Sequence, residues 1–97
     1  MYARVSSLAG SPGDVDDGID NFRKNVVPFT QEQGGKGAML LIDRTSGKAL
    51  AITLWEDEQA LRASEERANA LRAQAAEEMG ASQQPGVERY EVAVFEV

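Results

Sequence analysis

The strand-like segments of this 97-residue chain are apolar on both faces, and that feature limits its possible folds more than any other. Successive side chains of a β-strand point to opposite faces, so a sheet with one face in water alternates apolar and polar residues. Residues 39–42, "MLLI", are apolar without interruption, and residues 49–55, "ALAITLW", are apolar on both alternating sets apart from one threonine. The closing "VAVFEV" has the same character. Both faces of the predicted sheet therefore need cover.

The first part of the chain predicts a strand followed by a helix. The opening "YARVSSLAG" is typical of a strand that ends at Gly10, and the following turn offers Asp14 as a helix N-cap. From Val15 onward, apolar residues recur at alternating steps of four and three, which indicates one helical face. Pro28 lies within this stripe and lacks a backbone N–H, so we expect the helix to kink or end near Val27.

The remainder predicts a hairpin, a long helix and a closing strand. The runs "KGAMLLIDR" and "KALAITLW" are β-like and flank a Ser46-Gly47 turn. Asp57 is a suitable N-cap for a helix that runs to Gly80, and after the loop "ASQQPGV" residues 88–97, "ERYEVAVFEV", form the last strand. The order β-α-β-β-α-β predicts one domain over residues 1–97 with a ferredoxin-like α+β fold, a four-stranded antiparallel sheet carrying two helices on one face.

The second face of this sheet predicts a partner subunit. Two helices cover one face, and the predicted elements leave nothing for the other. The simplest cover is the same sheet of a second copy, since two-fold dimers are the commonest oligomers. We therefore expect a homodimer formed by sheet-to-sheet packing.

Charge and hydropathy exclude two classes of partner. The formal net charge is -6, from ten basic and sixteen acidic residues, and the chain has no Lys/Arg cluster that would attract a phosphate backbone or an anionic membrane. No apolar run is long enough to span a bilayer, and no secretory leader pattern follows Met1. The sequence predicts a cytoplasmic protein that binds neither nucleic acid nor membrane.

Missing residue types and unsuitable spacings argue against a metal. The chain has no cysteine and no histidine, which excludes disulfides, thiolate nucleophiles, Cys/His zinc sites and imidazole ligation of haem. The run "DVDDGID" lacks the glycine and glutamate spacing of a calcium loop, so its acids are better explained by the helix dipole. The "GGKG" run follows a helix and opens a strand, the reverse of a phosphate-binding loop.

The segment "ITLWEDEQALRAS" resembles the strand-to-helix passage of antibiotic biosynthesis monooxygenase-like domains, in which an aromatic residue ends the third strand before an acidic residue and a helix. The order of elements, the length and the late proline of the first helix agree with that family. The resemblance implies a dimeric α+β barrel whose pocket, in each subunit, lies between the sheet and the helices. Members include cofactor-free oxygenases that convert polycyclic phenols to quinones, haem-degrading enzymes, and proteins without an established activity.

The resemblance also separates these branches. The haem-degrading branch uses a histidine on the second helix and an asparagine on the first strand, whereas this chain has no histidine and offers Arg4 and Ser6 on that strand. We therefore expect no cofactor. The quinone-forming branch needs aromatic pocket walls and a donor or cation that holds the phenolate oxygen. Candidate walls are Trp55, Phe22 and Tyr90, and candidate holders are Arg4, Asn25 and Arg89.

None of these residues matches a catalytic position of the family, so the catalytic residues stay unassigned. Core or interface packing explains the aromatic candidates at least as well, and an edge position or an ion pair across the dimer explains Arg4 as well as ligand anchoring does. The first functional hypothesis is a cofactor-independent monooxygenase that acts on an aromatic, phenolic small molecule. The alternative is a non-catalytic small-molecule-binding or accessory protein. An isomerase or cyclase ranks last because it needs a pocket carboxylate with a raised pKa, which no strand supplies.

Overall fold

The structure is a computed structural model that describes residues 1–80 and 85–97, and these form one antiparallel sheet with helices on one face. The strands are β1 Tyr2–Ala9, β2 Gly37–Ile42, β3 Lys48–Trp55 and β4 Gly86–Glu91. Their order in the sheet is β2-β3-β1-β4, with every pairing antiparallel. The predicted ferredoxin-like α+β fold is confirmed. Because β1 is an inner strand, Arg4 does not lie at a sheet edge.

The first helical segment changes its hydrogen-bond pattern before its proline. After a single 3₁₀ turn, α1 spans Val15–Asn21, a π-helical turn spans Phe22–Val26, and α2 spans Val27–Glu32. Pro28 cannot donate to a carbonyl of the preceding turn, so a local change of pattern is expected where the kink was predicted. Asp14 occupies the N-cap position, but its side chain makes no capping hydrogen bond. The predicted position of the N-cap is therefore confirmed, without the side-chain bond that usually accompanies it.

The second helical segment is broken at Ser64. Asp57 caps α3, Glu58–Ala63, by accepting a 2.8 Å hydrogen bond from the Ala60 N–H, as predicted. A separate helix, α4, spans Glu65–Glu78, so the prediction of one continuous helix was wrong. The Ser64 hydroxyl donates to the Leu61 carbonyl oxygen at 2.8 Å, and Arg4 donates to the same oxygen at 2.7 Å. These two bonds satisfy that carbonyl outside the regular helical ladder and explain the break.

The last strand starts and ends earlier than predicted. It covers Gly86–Glu91 rather than residues 88–97, and the Val92 N–H makes one further bond to the Met1 carbonyl at 2.8 Å. Because β1 begins at Tyr2, which pairs with Glu91, β4 has no strand residue to pair with beyond that point. Residues 81–84 of the predicted loop lie outside the described residues.

Pairing register assigns each strand residue to one of two faces. The helix-covered face carries alternate residues of the two inner strands: Tyr2, Arg4, Ser6 and Leu8 of β1, opposite Trp55, Thr53, Ala51 and Ala49 of β3. The core on this face forms two clusters, one around Trp55 and Leu61 and the other around Leu8 and Met79. Within the described part of the chain, no helix is long and apolar enough to cross a lipid bilayer.

Candidate functional site

A cavity of about 50 Å³ lies between the sheet and the helices, where the two core clusters meet. Its floor is the helix-covered face of the sheet, and its walls come from the first helical segment and from α4. The lining residues are Arg4, Ser6, Leu8, Leu40, Ala51 and Thr53 from the strands, Gly18, Phe22, Val26 and Phe29 from the first helical segment, and Ala68, Leu71, Arg72, Ala75 and Met79 from α4 and its C-cap. Most of this lining is apolar.

Small residues create this space. Ala51 of the sheet and Ala68 and Ala75 of α4 all line the cavity, and their short side chains leave few atoms to project into it. Gly18 of α1 lies directly against the Met79 side chain, since a Cβ at Gly18 would lie 1.6 Å from the Met79 Sδ atom. A volume of this size admits a few water molecules, and a ring-sized ligand requires flexible wall residues such as Met79 to change rotamer.

Arg4 is the most deeply buried charged residue of the cavity wall, with 3% of its surface exposed. Its Nη2 donates to the Leu61 carbonyl at 2.7 Å, the Ser64 hydroxyl at 2.9 Å and the Glu65 carboxylate at 3.0 Å. Its guanidinium also lies 5.5 Å from the centre of the Trp55 ring, a cation–π contact. Burial lowers the pKa of Arg4 even though the Glu65 charge acts in the opposite direction. Arg4 is therefore held in one orientation against the cavity.

Arg72 of α4 brings a second guanidinium to the same end of the cavity. Its Nε donates to the Ser6 hydroxyl at 3.1 Å, and Ser6 is two residues from Arg4 on the same face of β1. The pKa of Arg72 is lowered by burial first and then by the positive charge of Arg4. Arg72 is not among the site residues predicted from the sequence, although its spacing of four from Ala68 places it on the inner side of α4.

Two buried guanidinium N–H groups have no hydrogen-bond partner among the described residues. They are Arg4 Nε and Arg72 Nη2. A buried polar group without a partner is uncommon in folded proteins, because its loss of solvation is not compensated. Both belong to residues that line the cavity, so these two donors are available to a water molecule or a ligand oxygen within it.

Glu65 connects the interior arginine with the protein surface. Its carboxylate accepts from Arg4 at 3.0 Å and forms a salt bridge with Arg89 of β4, whose backbone pairs with Arg4 in the sheet register. Burial alone would raise the pKa of Glu65, but the hydrogen bonds and charges of Arg89 and Arg4 outweigh it and hold the pKa below its usual value. One ionised carboxylate is thus surrounded by the guanidiniums of Arg4, Arg89 and, at longer range, Arg72.

Of the residues predicted from the sequence, Arg4 and Phe22 line the cavity. Trp55 is fully buried beside the cavity rather than in its wall: its Nε1 donates to the Thr53 hydroxyl at 2.9 Å and its ring meets Phe29 edge-on at 6.5 Å. Asn25 donates to the Asn21 side chain at 2.7 Å and stays outside the lining.

Arg89 and Tyr90 of β4 border a separate surface groove together with Tyr2 and Arg62. Tyr90 is 50% exposed, and a hydrogen bond with Glu88 raises its pKa. The structure therefore separates the six candidate residues into two lining the cavity, two on the groove, and two in neither place.

The cavity lining offers donors but no obvious base. Its described polar side chains are the two guanidiniums and the hydroxyls of Ser6 and Thr53, with no aspartate, glutamate or tyrosine among them. The described residues also contain no group of three acidic, histidine or cysteine side chains placed to hold a metal ion. The arrangement is suited to binding and orienting a flat apolar molecule with an oxygen at one end.

This fold and site define a class: a ferredoxin-like α+β domain with a cavity between its sheet and its helices. The chain belongs to the antibiotic biosynthesis monooxygenase family, whose sequence model matches residues 1–76.

Curated relatives occur in Mycobacterium tuberculosis. The uncharacterized protein Rv2557 of strain H37Rv is 36% identical over 96 residues, which cover 98% of this chain and 42% of that protein. The uncharacterized protein Rv2558 is 43% identical over 77 residues, 78% of this chain and 33% of that protein. The chain therefore spans less than half the length of these relatives.

Solved structures share the fold. The monooxygenase from the gene ActVA-Orf6 of Streptomyces coelicolor, in complex with the ligand nanaomycin D, matches with a TM-score of 0.75 at 17% identity and covers 99% of this chain and 92% of that chain. NE2512 of Nitrosomonas europaea, a protein of unknown function, matches with a TM-score of 0.73 at 21% identity, with coverage of 99% and 92%. At these identities the likeness shows the fold alone.

Proposed function

We propose that the protein binds a small aromatic molecule in the cavity and oxidises it with molecular oxygen, without a cofactor. The observation that carries the proposal is an apolar cavity whose only described charged lining residues, Arg4 and Arg72, lie over adjacent positions of the same face of β1. Phe22, Phe29 and Leu71 supply apolar walls, while Arg4, Arg72 and the two hydroxyls orient the oxygen of the ligand. Membership of the monooxygenase family supports this reaction class.

The proposed reaction is the conversion of an anthrone-like phenol to a quinone. One atom of O₂ bonds to the ring carbon that carries two hydrogens, and both hydrogens leave with the other oxygen atom as water. The ligand supplies the electrons that reduce O₂. The protein contributes by fixing the ring and by providing an environment in which donor contacts to the developing oxyanion are strong.

An oxygen-consumption assay with anthrone tests this proposal. We expect enzyme-dependent quinone formation in air that a chelator does not inhibit. Ala75→Phe should abolish it because the new ring fills the cavity, whereas Ala70→Phe on the exposed side of α4 should retain it. Thermal melts of both variants control for folding. Absence of quinone above the uncatalysed rate across a panel of anthrone-like phenols would refute the oxidation.

We further propose that the active form is a homodimer joined through the open face of the sheet. That face carries Val5, Leu50, Ile52 and Leu54 on the inner strands, and Met39 and Leu41 are 41% and 44% exposed. The apolar tail after β4 is also exposed. Contiguous apolar surface of this kind marks an interface. We expect a dimer in sedimentation equilibrium, and Ile52→Lys should shift it toward monomer while Gln31→Lys should not. A stable wild-type monomer at micromolar concentration contradicts the proposal.

The second candidate function is ligand binding without turnover. The absence of a general base among the described lining residues favours it, because nothing in the wall accepts a proton during oxidation. Saturable binding of a phenol by calorimetry, with no oxygen consumed by the same complex, would establish binding alone.

A further inference from the structure

We infer that the cavity takes its ligand as an anion, an aromatic molecule whose ionised oxygen is shared by Arg4 Nε and Arg72 Nη2. The inference deepens the proposed function, since it specifies the chemistry of the ligand in the same cavity. It does not depend on oxidation, because an anion subsite operates equally in a binding protein. Carboxylate and phenolate oxygens share this chemistry, and the experiment below separates them.

The strand geometry and the Arg72–Ser6 hydrogen bond bring the two guanidiniums close together. Arg4 and Ser6 project from the same face of β1, about 7 Å apart along the strand. Arg72 is anchored over Ser6 by the 3.1 Å bond from its Nε to the hydroxyl. The Nη2 of Arg4 is already occupied by Leu61, Ser64 and Glu65, whereas its Nε, on the same edge of the guanidinium, has no partner among the described residues. A single oxygen group between the arginines would satisfy both unpaired donors.

The charges around the cavity also favour an anionic ligand. The charged groups at this end are Arg4 on β1, Arg72 and Glu65 on α4, and Arg89 on β4. The cavity wall itself carries two guanidiniums and, among the described residues, no carboxylate, whereas Glu65 and Arg89 border the surface groove with further acidic and basic side chains. The lowered pKa of Arg72 reflects its burial and its repulsion from Arg4 and Arg89, with only Glu65 opposing them. A ligand oxyanion would offset this local positive excess.

The ligand must also lose its proton without the help of a base in the cavity wall. No carboxylate, imidazole or phenol occurs among the described lining residues, and Glu65 is committed to Arg4 and Arg89. The arginines instead favour the ionised form of an acidic oxygen, so the ligand's pKa falls on binding and its proton goes to water. Selection then depends on the acidity of the ligand, and neutral molecules of the same shape bind weakly.

A matched pair of single-ring probes tests this on the full chain under nitrogen, so that no oxidation intervenes. Benzoate and benzyl alcohol have the same ring and nearly the same size, but only benzoate carries a charge. We expect calorimetry to give at least tenfold tighter binding of benzoate to the unmodified protein. Arg72→Met should remove most of that tenfold preference without weakening the alcohol, and Arg67→Met on the exposed side of α4 should leave it intact.

A third probe, 4-nitrophenol, identifies the type of oxygen because its ionised form absorbs visible light. The measurement is made at a pH below the pKa of free nitrophenol. If the site lowers that pKa, bound nitrophenol shows the spectrum of the phenolate. If it shows the protonated spectrum while benzoate binds tightly, the subsite is specific for carboxylates. Either result supports an anion subsite. Equal affinities of the wild-type protein for benzoate and benzyl alcohol would overturn the inference, as would an equal loss of affinity for both ligands in Arg72→Met. If that variant does not fold, the ratio of the two affinities in the wild-type protein decides the question.

Failure of the anion inference and failure of the proposed oxidation give different results. Anion preference without quinone formation leaves the subsite and removes the oxygenase. Quinone formation without a preference for the charged probe supports the oxygenase and rules out the anion subsite. The two claims therefore stand or fall on separate measurements.

Discussion

Replacing Trp55 by phenylalanine should destabilise the fold strongly while changing ligand affinity by less than about threefold, because the phenyl ring still offers a face to the Arg4 guanidinium. The indole is fully buried, packs edge-on against Phe29, and its Nε1 donates to the Thr53 hydroxyl at 2.9 Å. It lies beside the cavity without lining it. The substitution therefore tests whether the only tryptophan of the chain belongs to the core or to the ligand site.

The expected cost follows from three losses. The smaller ring buries roughly 40 Å² less apolar surface, worth about 1 kcal/mol at about 25 cal/mol per Å². The space left behind, about 40 Å³, costs about 1 kcal/mol more if the surroundings do not collapse. Thr53 loses a hydrogen bond in a buried position, at about 1 kcal/mol. Partial relaxation of the core reduces the total, so we expect the free energy of unfolding to fall by about 2–3 kcal/mol.

Urea unfolding followed by far-ultraviolet circular dichroism measures this change, since the variant has no tryptophan fluorescence. Protein concentration must be equal in all samples, because the stability of a dimer depends on it. Tyr90→Phe is the control: it removes a hydroxyl from a half-exposed ring and should alter stability by less than about 0.5 kcal/mol. A Trp55→Phe protein of wild-type stability with benzoate binding weakened tenfold would refute the assignment of Trp55 to the core.

Three further substitutions test local features of the fold. Gly18→Ala should destabilise by about 1–3 kcal/mol in thermal melts despite its better helix propensity, because the Met79 side chain must move, whereas Gly13→Ala meets nothing within 4 Å and should be neutral. Asp57→Ala should cost about 1 kcal/mol in urea unfolding by removing the cap of α3, and Asp57→Asn should restore most of it. Glu65→Gln should lower stability at neutral pH only: the pKa of Glu65 is depressed in the folded protein, so its contribution is complete above the pKa of an unfolded glutamate and disappears as pH falls through the folded-state pKa. Melts that show a constant difference between Glu65→Gln and wild type across the acidic range would contradict that assignment.

The elements that local pattern determines were predictable from the sequence. The hairpin follows from two β-like runs around Gly47, which has a φ of 82°, and the cap of α3 follows from Asp57. The break at Ser64 was not predictable, because it depends on a hydrogen bond from Arg4, about sixty positions away in the chain. The early end of β4 depends likewise on where its partner β1 begins.

The site was less predictable than the fold, because pattern assigns a residue to a face but not to a place on that face. Trp55, Thr53 and Arg4 share the helix-covered face, yet α3 covers the tryptophan while the other two reach the cavity. The helical periodicity could have identified Arg72 as an inward-facing residue, since it follows Ala68 by one turn. Its charge made a solvent-facing position the ordinary expectation, and only the contact with Ser6 shows that it turns inward.

The position of Arg72 is difficult to explain by stability alone. The Arg4–Glu65 pair already satisfies the buried charge on β1, and Arg89 already completes the coordination of that carboxylate at the surface. Arg72 donates to Ser6 and Asn69, but its guanidinium also adds repulsion from Arg4 and an unpaired Nη2, and an apolar side chain of similar length would carry neither penalty. Alanines in the lining leave a volume of about 50 Å³ beside it unfilled. An arginine with an unpaired donor beside an unfilled volume is what the inferred anion subsite requires.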